Sequence, residues 1–241
     1  VAFIWLSGWT LLSHAFPESI PLPADVARAF IALADGELGS SIGSSLQRIL
    51  IGYVSAVMTA VPLGLFMALS RKLDKAVDPL VQLIRPISAV AWIPFAILWF
   101  GVTNKAAYFI IAYGAFFPIL LNTISAVRDV PRAYTQAAQT LGASNRLIMR
   151  HVIVPAALPL IFVGLRTGIG NAFAVMVAAE LAIGFVLQSG LGYLLIRYSV
   201  EAFQPDTLLA LICTVGVLGY CSDRVLRIVQ FRLTPWQVDA T

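Results

Sequence analysis

The feature that most narrows the possible folds is a succession of long apolar runs separated by short charged or proline-rich connections. Runs at about 41–70, 106–127, 158–185 and from 206 to 219 or a little beyond are poor in charge. A helix needs about 20 mostly apolar residues to cross roughly 30 Å of hydrocarbon. Within lipid, every backbone polar group must also be paired inside the spanning structure. Helices meet that condition segment by segment, so the expected fold is an all-α polytopic membrane protein. The charged fraction agrees: it is 12% here, where a soluble domain carries roughly a quarter.

A further apolar run, about 79–100, contains Arg85-Pro86 and Pro94. Proline removes a helical hydrogen bond and pushes the preceding residue out of the helical region, so this span is expected to bend or break. Residues 1–16 carry Trp5 and Trp9 but are too short to cross alone. They read as the outer end of a first span whose start lies upstream, which brings the expected count to about six. Three prolines in 16–25 then stop the helix, and a short surface helix is expected over 24–33. Residues 188–205 read as a polar outer loop with glycines at 190 and 192 and a short helix after them. The whole chain, 1–241, reads as one transmembrane domain.

Charge sets the orientation. With both termini inside, the inner connections hold Arg71, Lys72, Lys75, Arg128, Arg132, Arg146, Arg150, Arg224, Arg227 and Arg232, and the outer segments hold Arg28, Arg48, Lys105 and Arg197. That is ten basic residues against four, the excess lying inside as topology rules require. The same scatter excludes nucleic acid as a partner, because no basic run is interleaved with aromatics.

Polar residues inside spans are the candidates for a solute path. Arg166 and Glu180 share one run but stand 14 residues apart, about 21 Å along a helix. They cannot pair with each other, and each needs a partner, water or the headgroup region. For Glu180, the readings are a site at the outer end of a path, or a structural ion pair or cap for the following turn. Asn122 either links helices or faces the path. Trp92 and Trp99 are either interfacial belt residues or part of a gate, and Arg85 lies at the expected break.

Residues 132–159 form the longest polar, helix-capable stretch between strongly apolar runs. Within it, Gln136-Ala137-Ala138 is followed after three residues by Gly142, and after nine more by Val152-Ile153-Val154-Pro155. This spacing resembles the signature of binding-protein-dependent ABC importer permeases: Glu-Ala-Ala, three residues, Gly, nine residues, Ile-x-Leu-Pro. Gln136 stands for the usual glutamate, and Val152 and Val154 for Ile and Leu. Residues 16–25, the pair Ala179-Glu180 with the block 189–193, and Arg232 to Trp236 are similar to stretches of the taurine, alkanesulfonate, nitrate and bicarbonate branch. The tail favours the taurine members.

That resemblance implies the type I importer permease fold with a cytoplasmic coupling helix over 132–155, in a bacterial inner membrane. Gln136, Ala137, Ala138, Gly142, Arg146, Arg150 and Pro155 would then meet the ATPase, with Pro155 separating the coupling helix from the next span. The implied partners are a second copy of the chain, two ATP-binding subunits and a substrate-binding protein. The implied substrate is taurine or another alkanesulfonate, with nitrate, bicarbonate or another small organic anion as the alternative.

The sequence offers no chemistry of its own. There is no Gly-rich loop ending in Gly-Lys-Ser/Thr, so ATP and Mg would belong to the partner ATPase and no cofactor to this chain. His14 and His151 lack spaced ligand partners, and Cys213 and Cys221 share one late apolar run without forming a disulfide framework. A secondary transporter is the competing class, since it too tolerates broken helices and intramembrane charge.

Overall fold

The computed structural model describes residues 9–10, 13, 21–34, 36–201 and 203–236. Helix α1 is Pro23–Ala34, α2 is Leu38–Leu69 and α3 is Arg71–Ile84. A 3-10 turn, Ala89–Trp92, leads into α4, Ile93–Phe100. Then come α5, Asn104–Arg128; α6, Arg132–Thr140; and α7, Asn145–Ile148. A π turn, Met149–Ile153, runs into α8, Val154–Leu187. Helix α9, Leu191–Ile196, a second π turn and α10, Pro205–Leu233, complete the order.

Four helical stretches are long and apolar enough to cross a membrane: α2, α5, the run from Asn145 to Gly184, and α10. Helix α3 and the segment Ala89–Phe100 pass that test together but are bent by 86°, at the Arg85-Pro86 step where the prolines predicted a break. The described residues therefore supply four spans, or five if the bent pair crosses as one. The expected first span, 1–16, falls almost wholly outside them.

Helix α5 is the hub, packed along α2 on one side and α8 on the other. Its Ala106, Ala107, Ile110, Ile111, Ala115, Ile119 and Leu120 are fully buried. Lipid tails are as apolar as leucine, so burial alone does not drive these helices together and close backbone approach has to. Glycines supply it on both seams. A Cβ at Gly52 on α2 would stand 2.8 Å from Ile111, and one at Gly168 on α8 would stand 2.7 Å from Ile119. A smaller cluster joins α1, α9 and α10 through Val26, Leu33, Leu191, Leu194 and Leu211. Leu50, Met58, Phe66, Leu98 and Val217 point outward, as a lipid-facing surface requires.

Three boundaries differ from the sequence reading. Residues 71–78, expected as a polar connection, are already helical, because the Ser70 hydroxyl caps α3 by accepting from the Leu73 N–H. Helix α10 continues to Leu233 rather than stopping near Gly219. Pro155 does not separate α7 from the next span. The Val154 N–H reaches back five residues to the Met149 carbonyl, and the widened π turn makes room for a ring that would otherwise meet the preceding turn.

Candidate functional site

Between α6 and α7 the chain makes a compact reversal. The Ala143 N–H donates to the Ala138 carbonyl at 3.0 Å and the Gly142 N–H to the Gln139 carbonyl at 2.9 Å, the paired bonds of a Schellman ending. Gly142 holds φ +76°, a left-handed conformation that costs an L-residue roughly 1–2 kcal/mol. A Cβ there would meet nothing within 4 Å. The glycine is thus explained by conformation and not by a close approach within this chain. Ser144 then caps α7, accepting from the Leu147 N–H at 3.4 Å.

No residue of α6 is buried; Gln136 and Ala137 are exposed and Ala138 is half-buried, and the helix touches chiefly α7 and the π turn that follows it. Leu141 is 87% exposed at the tip, and Tyr134 of α6 and Leu147 of α7 are exposed as well. The motif spacing did not single out these apolar side chains. Arg146 and Arg150 are also exposed and have no ion-pair partner among the described residues.

At the far end of α8, Glu180 is completely buried and receives Arg48 of α2 at 2.7 Å. The Ser45 hydroxyl lies 2.9 Å from both carboxylate oxygens, and the Gly192 N–H donates to Oε2 at 2.9 Å. Arg48 also donates to Asn104 Oδ1, the Ser189 carbonyl and the Ser189 hydroxyl, at 2.8, 2.9 and 2.6 Å. A buried ion pair is tolerable when its remaining hydrogen-bonding groups find partners, and here they do. Arg48, counted from sequence among outer segments, is therefore an interior residue of α2. Its signal was a lone charge inside an apolar run. Nearby, the Arg197 guanidinium donates to Glu37 at 2.7 Å, and that bond raises its pKa further above the usual range.

Arg166 finds its partner on α10, in a two-pronged pair with Asp223 at 2.7 and 2.9 Å, both side chains about one third exposed. The structure therefore brings neither Arg166 nor Glu180 to the other, and each is matched by a residue far away in sequence. Asn122 donates within α5, to the Pro118 carbonyl at 2.8 Å, and packs against Gly164 of α8.

The break after α3 is held by Tyr113 of α5, whose hydroxyl shares its proton between the carbonyls of Ile84 and Ile87 at 2.9 and 3.1 Å. Trp92 rests 5.6 Å from the Tyr113 ring and 6.1 Å from Trp99. The Trp92 Nε1–H is buried and has no acceptor among the described residues; a buried donor left unpaired costs about 1–3 kcal/mol. Beside this cluster lies a cavity of about 500 Å³ whose lining includes Arg85, Ser88, Tyr113 and Asn171. The described residues contain no cluster of three or more metal-ligating side chains.

Residues 60–235 match the model of the family described as binding-protein-dependent transport system inner membrane component. An ABC transporter permease relative from Methanocaldococcus jannaschii is 40% identical over 205 residues, covering 85% of this chain and 76% of its own. The taurine transport system permease protein TauC of Escherichia coli is 32% identical, covering 95% of this chain and 84% of its own. The nitrate import permease protein NrtB of a Synechocystis strain is 30% identical, with 96% and 86% covered. Among solved structures, an inward-facing MetNI methionine ABC transporter chain superposes with a TM-score of 0.67 at 19% identity, over 82% of this chain and 96% of that one. This likeness places the bundle in the general type I importer permease fold.

Proposed function

The chain belongs to the family of binding-protein-dependent inner membrane components, and on that premise we propose that two copies of it form the membrane path of an ATP-driven importer. A binding protein delivers a small oxyanion-bearing solute, and two ATPase subunits close on ATP beneath the α6–α7 turn. The observation that carries this reading is α6 itself. A nine-residue helix with no buried residue, ended by a Schellman turn with an exposed leucine at its tip, is left largely uncovered by its own chain. It is shaped to be seated in another.

In this reading Gln136 to Ala138, Gly142, Arg146 and Arg150 face the ATPase. Pro155 and its π turn join that contact to α8 without a hinge. ATP and Mg are bound by the ATPase, and this chain carries no cofactor. The excess of basic residues on the α6–α7 side supports a cytoplasmic position for that side and for both termini. The first solute candidates are taurine and other alkanesulfonates, with nitrate and bicarbonate next, because relatives of comparable similarity are named for taurine, bicarbonate and nitrate.

The test is ATP hydrolysis by the complex in lipid, with its co-purifying ATPase and a binding protein loaded in turn with taurine, a longer alkanesulfonate, nitrate and bicarbonate. Stimulation by one loaded form supports the class and identifies the solute. Failure of any ATPase to co-purify, together with uptake that follows an ion gradient, would replace this reading with a secondary transporter.

A further inference from the structure

Two charges well inside the spanning helices are matched by carboxylates on neighbouring helices. Arg48 pairs with Glu180, and Arg166 with Asp223. Among the described residues, Arg85 has no ion-pair partner, although it sits at the break of the bent pair and lines the cavity against α5 and α8. An arginine at such a place is costly unless it faces water, a partner or a ligand. No carboxylate lines this cavity, so nothing within it offsets the positive charge.

The other polar groups have complementary roles. The Ser88 oxygen accepts from the Val90 N–H at 3.3 Å, which leaves its own O–H free to donate. Asn171, exposed on α8, makes no side-chain hydrogen bond among the described residues and has two N–H donors. The Tyr113 proton is already engaged by the break carbonyls, so that side chain holds the cavity's shape. Ile87, Phe117 and Val175 supply apolar wall. One exposed cation, donors on two different elements and an apolar remainder fit a small oxyanion with a short organic tail. A volume of about 500 Å³ holds such a solute together with several waters, each of which occupies about 30 Å³ in the liquid.

We propose that this cavity is an anion-binding station, with Arg85 as the charge partner and Ser88 and Asn171 as hydrogen-bond donors to a sulfonate, carboxylate or nitrate group. Its place on a solute path rests on the permease reading. Its charge preference does not, and it can be measured without ATPase or binding protein.

The experiment uses the full chain in lipid vesicles, with Cys213 and Cys221 replaced by serine and Ser88→Cys added. Membrane-impermeant methanethiosulfonates carrying either a sulfonate or a trimethylammonium group are applied to both faces, and each rate is normalised to that of a free thiol. The sulfonate reagent is expected to react faster by about tenfold, the effect of one nearby charge at short range. Arg85→Gln should abolish that preference, and Arg85→Lys should retain most of it. Taurine, methanesulfonate or nitrate should slow the reaction, and a neutral polyol should not. Asn171→Cys is the second probe, with the same expected preference should Ser88→Cys fail to insert.

Absence of reaction at both probes would make this a lipid-facing surface and overturn the proposal. So would a preference for the cationic reagent, a preference indifferent to Arg85→Gln, or protection by none of the anions. If the rates behave as expected but no ATPase co-purifies, the anion site stands and the importer reading falls. If an ATPase co-purifies and the rates show no charge preference, the importer stands and the site falls.

Discussion

Arg48 and Glu180 meet at 2.7 Å across 132 positions of sequence, with 3% of one side chain and none of the other exposed. The contact ties α2 to α8, while Asn104 brings in the start of α5 and Ser189 and Gly192 bring in the loop that closes over it. Removing one charge from such a site leaves the other dry and unpaired, a loss of about 3–5 kcal/mol. The pair contributes to stability mainly through that asymmetry.

Glu180→Gln is therefore expected to lower the thermal midpoint and the yield of folded protein, with Ser45→Ala causing a smaller loss of about 1–2 kcal/mol. Because Glu180 does not line the cavity beside Arg85, uptake per folded transporter should keep its KM. A normal melting temperature with an altered KM would return Glu180 to the solute path.

Gly190 is expected to be as sensitive as the charges it covers. Its φ is +105°, and a Cβ would stand 2.5 Å from Arg48 Nη1 and 2.6 Å from the Glu180 carboxyl. Gly190→Ala should thus cost several kcal/mol by strain and by prying the pair apart. Gly43→Ala, within α2 with nothing near a Cβ, should be neutral or stabilise by about 0.5–1 kcal/mol. Equal melting temperatures for the two variants would contradict the contact.

The sequence made different parts of this architecture visible to different degrees. The break at Arg85-Pro86 was legible because proline acts locally, and the unmatched charges of Arg166 and Glu180 announced that each needed a partner. Their partners were not legible: Asp223 lies 57 residues from Arg166 and Arg48 lies 132 from Glu180, and no helical periodicity reports which helices become neighbours. Glycines at 190 and 192 could be noted but not explained until the carboxylate beneath them was seen. Pro155 misled, because a π turn absorbs a proline that local rules would place at a helix boundary. Exposed Leu141 was hidden by composition, since one more leucine in an apolar chain carries no signal.

The two intramembrane ion pairs should differ in strength. Arg166 and Asp223 are about one third exposed, and solvent screening limits such pairs to about 0–1 kcal/mol. A double-mutant cycle on thermal stability, using Arg166→Gln with Asp223→Asn and Arg48→Gln with Glu180→Gln, should give clearly the larger coupling for the second pair. The reverse order would mean that water reaches Glu180.

Arg146 and Arg150 offer two exposed positive charges beside the α6–α7 turn. If they meet an acidic patch on the ATPase, Arg146→Glu with Arg150→Glu should weaken its co-purification, and the difference from wild type should shrink as salt rises, since exposed charges are screened over about 8 Å at physiological ionic strength. Unchanged co-purification at low salt would leave these arginines as solvated surface.

Gly142 separates the conformational from the interfacial demands on the turn. Within the chain its only requirement is φ +76°, so Gly142→Asn, which visits the left-handed region readily, should preserve the Schellman ending and most of the coupling. Gly142→Val should strain the turn by roughly 1–2 kcal/mol and lower coupling in proportion. Gly142→Trp has open space on its own chain, so insertion and melting temperature of the isolated permease should change little beyond that strain. In the assembled transporter the same indole would be forced against the ATPase, and solute-stimulated ATP hydrolysis should be lost. Full stimulation in the tryptophan variant would place the turn outside the contact, and the exposed face of α6 would then need another partner.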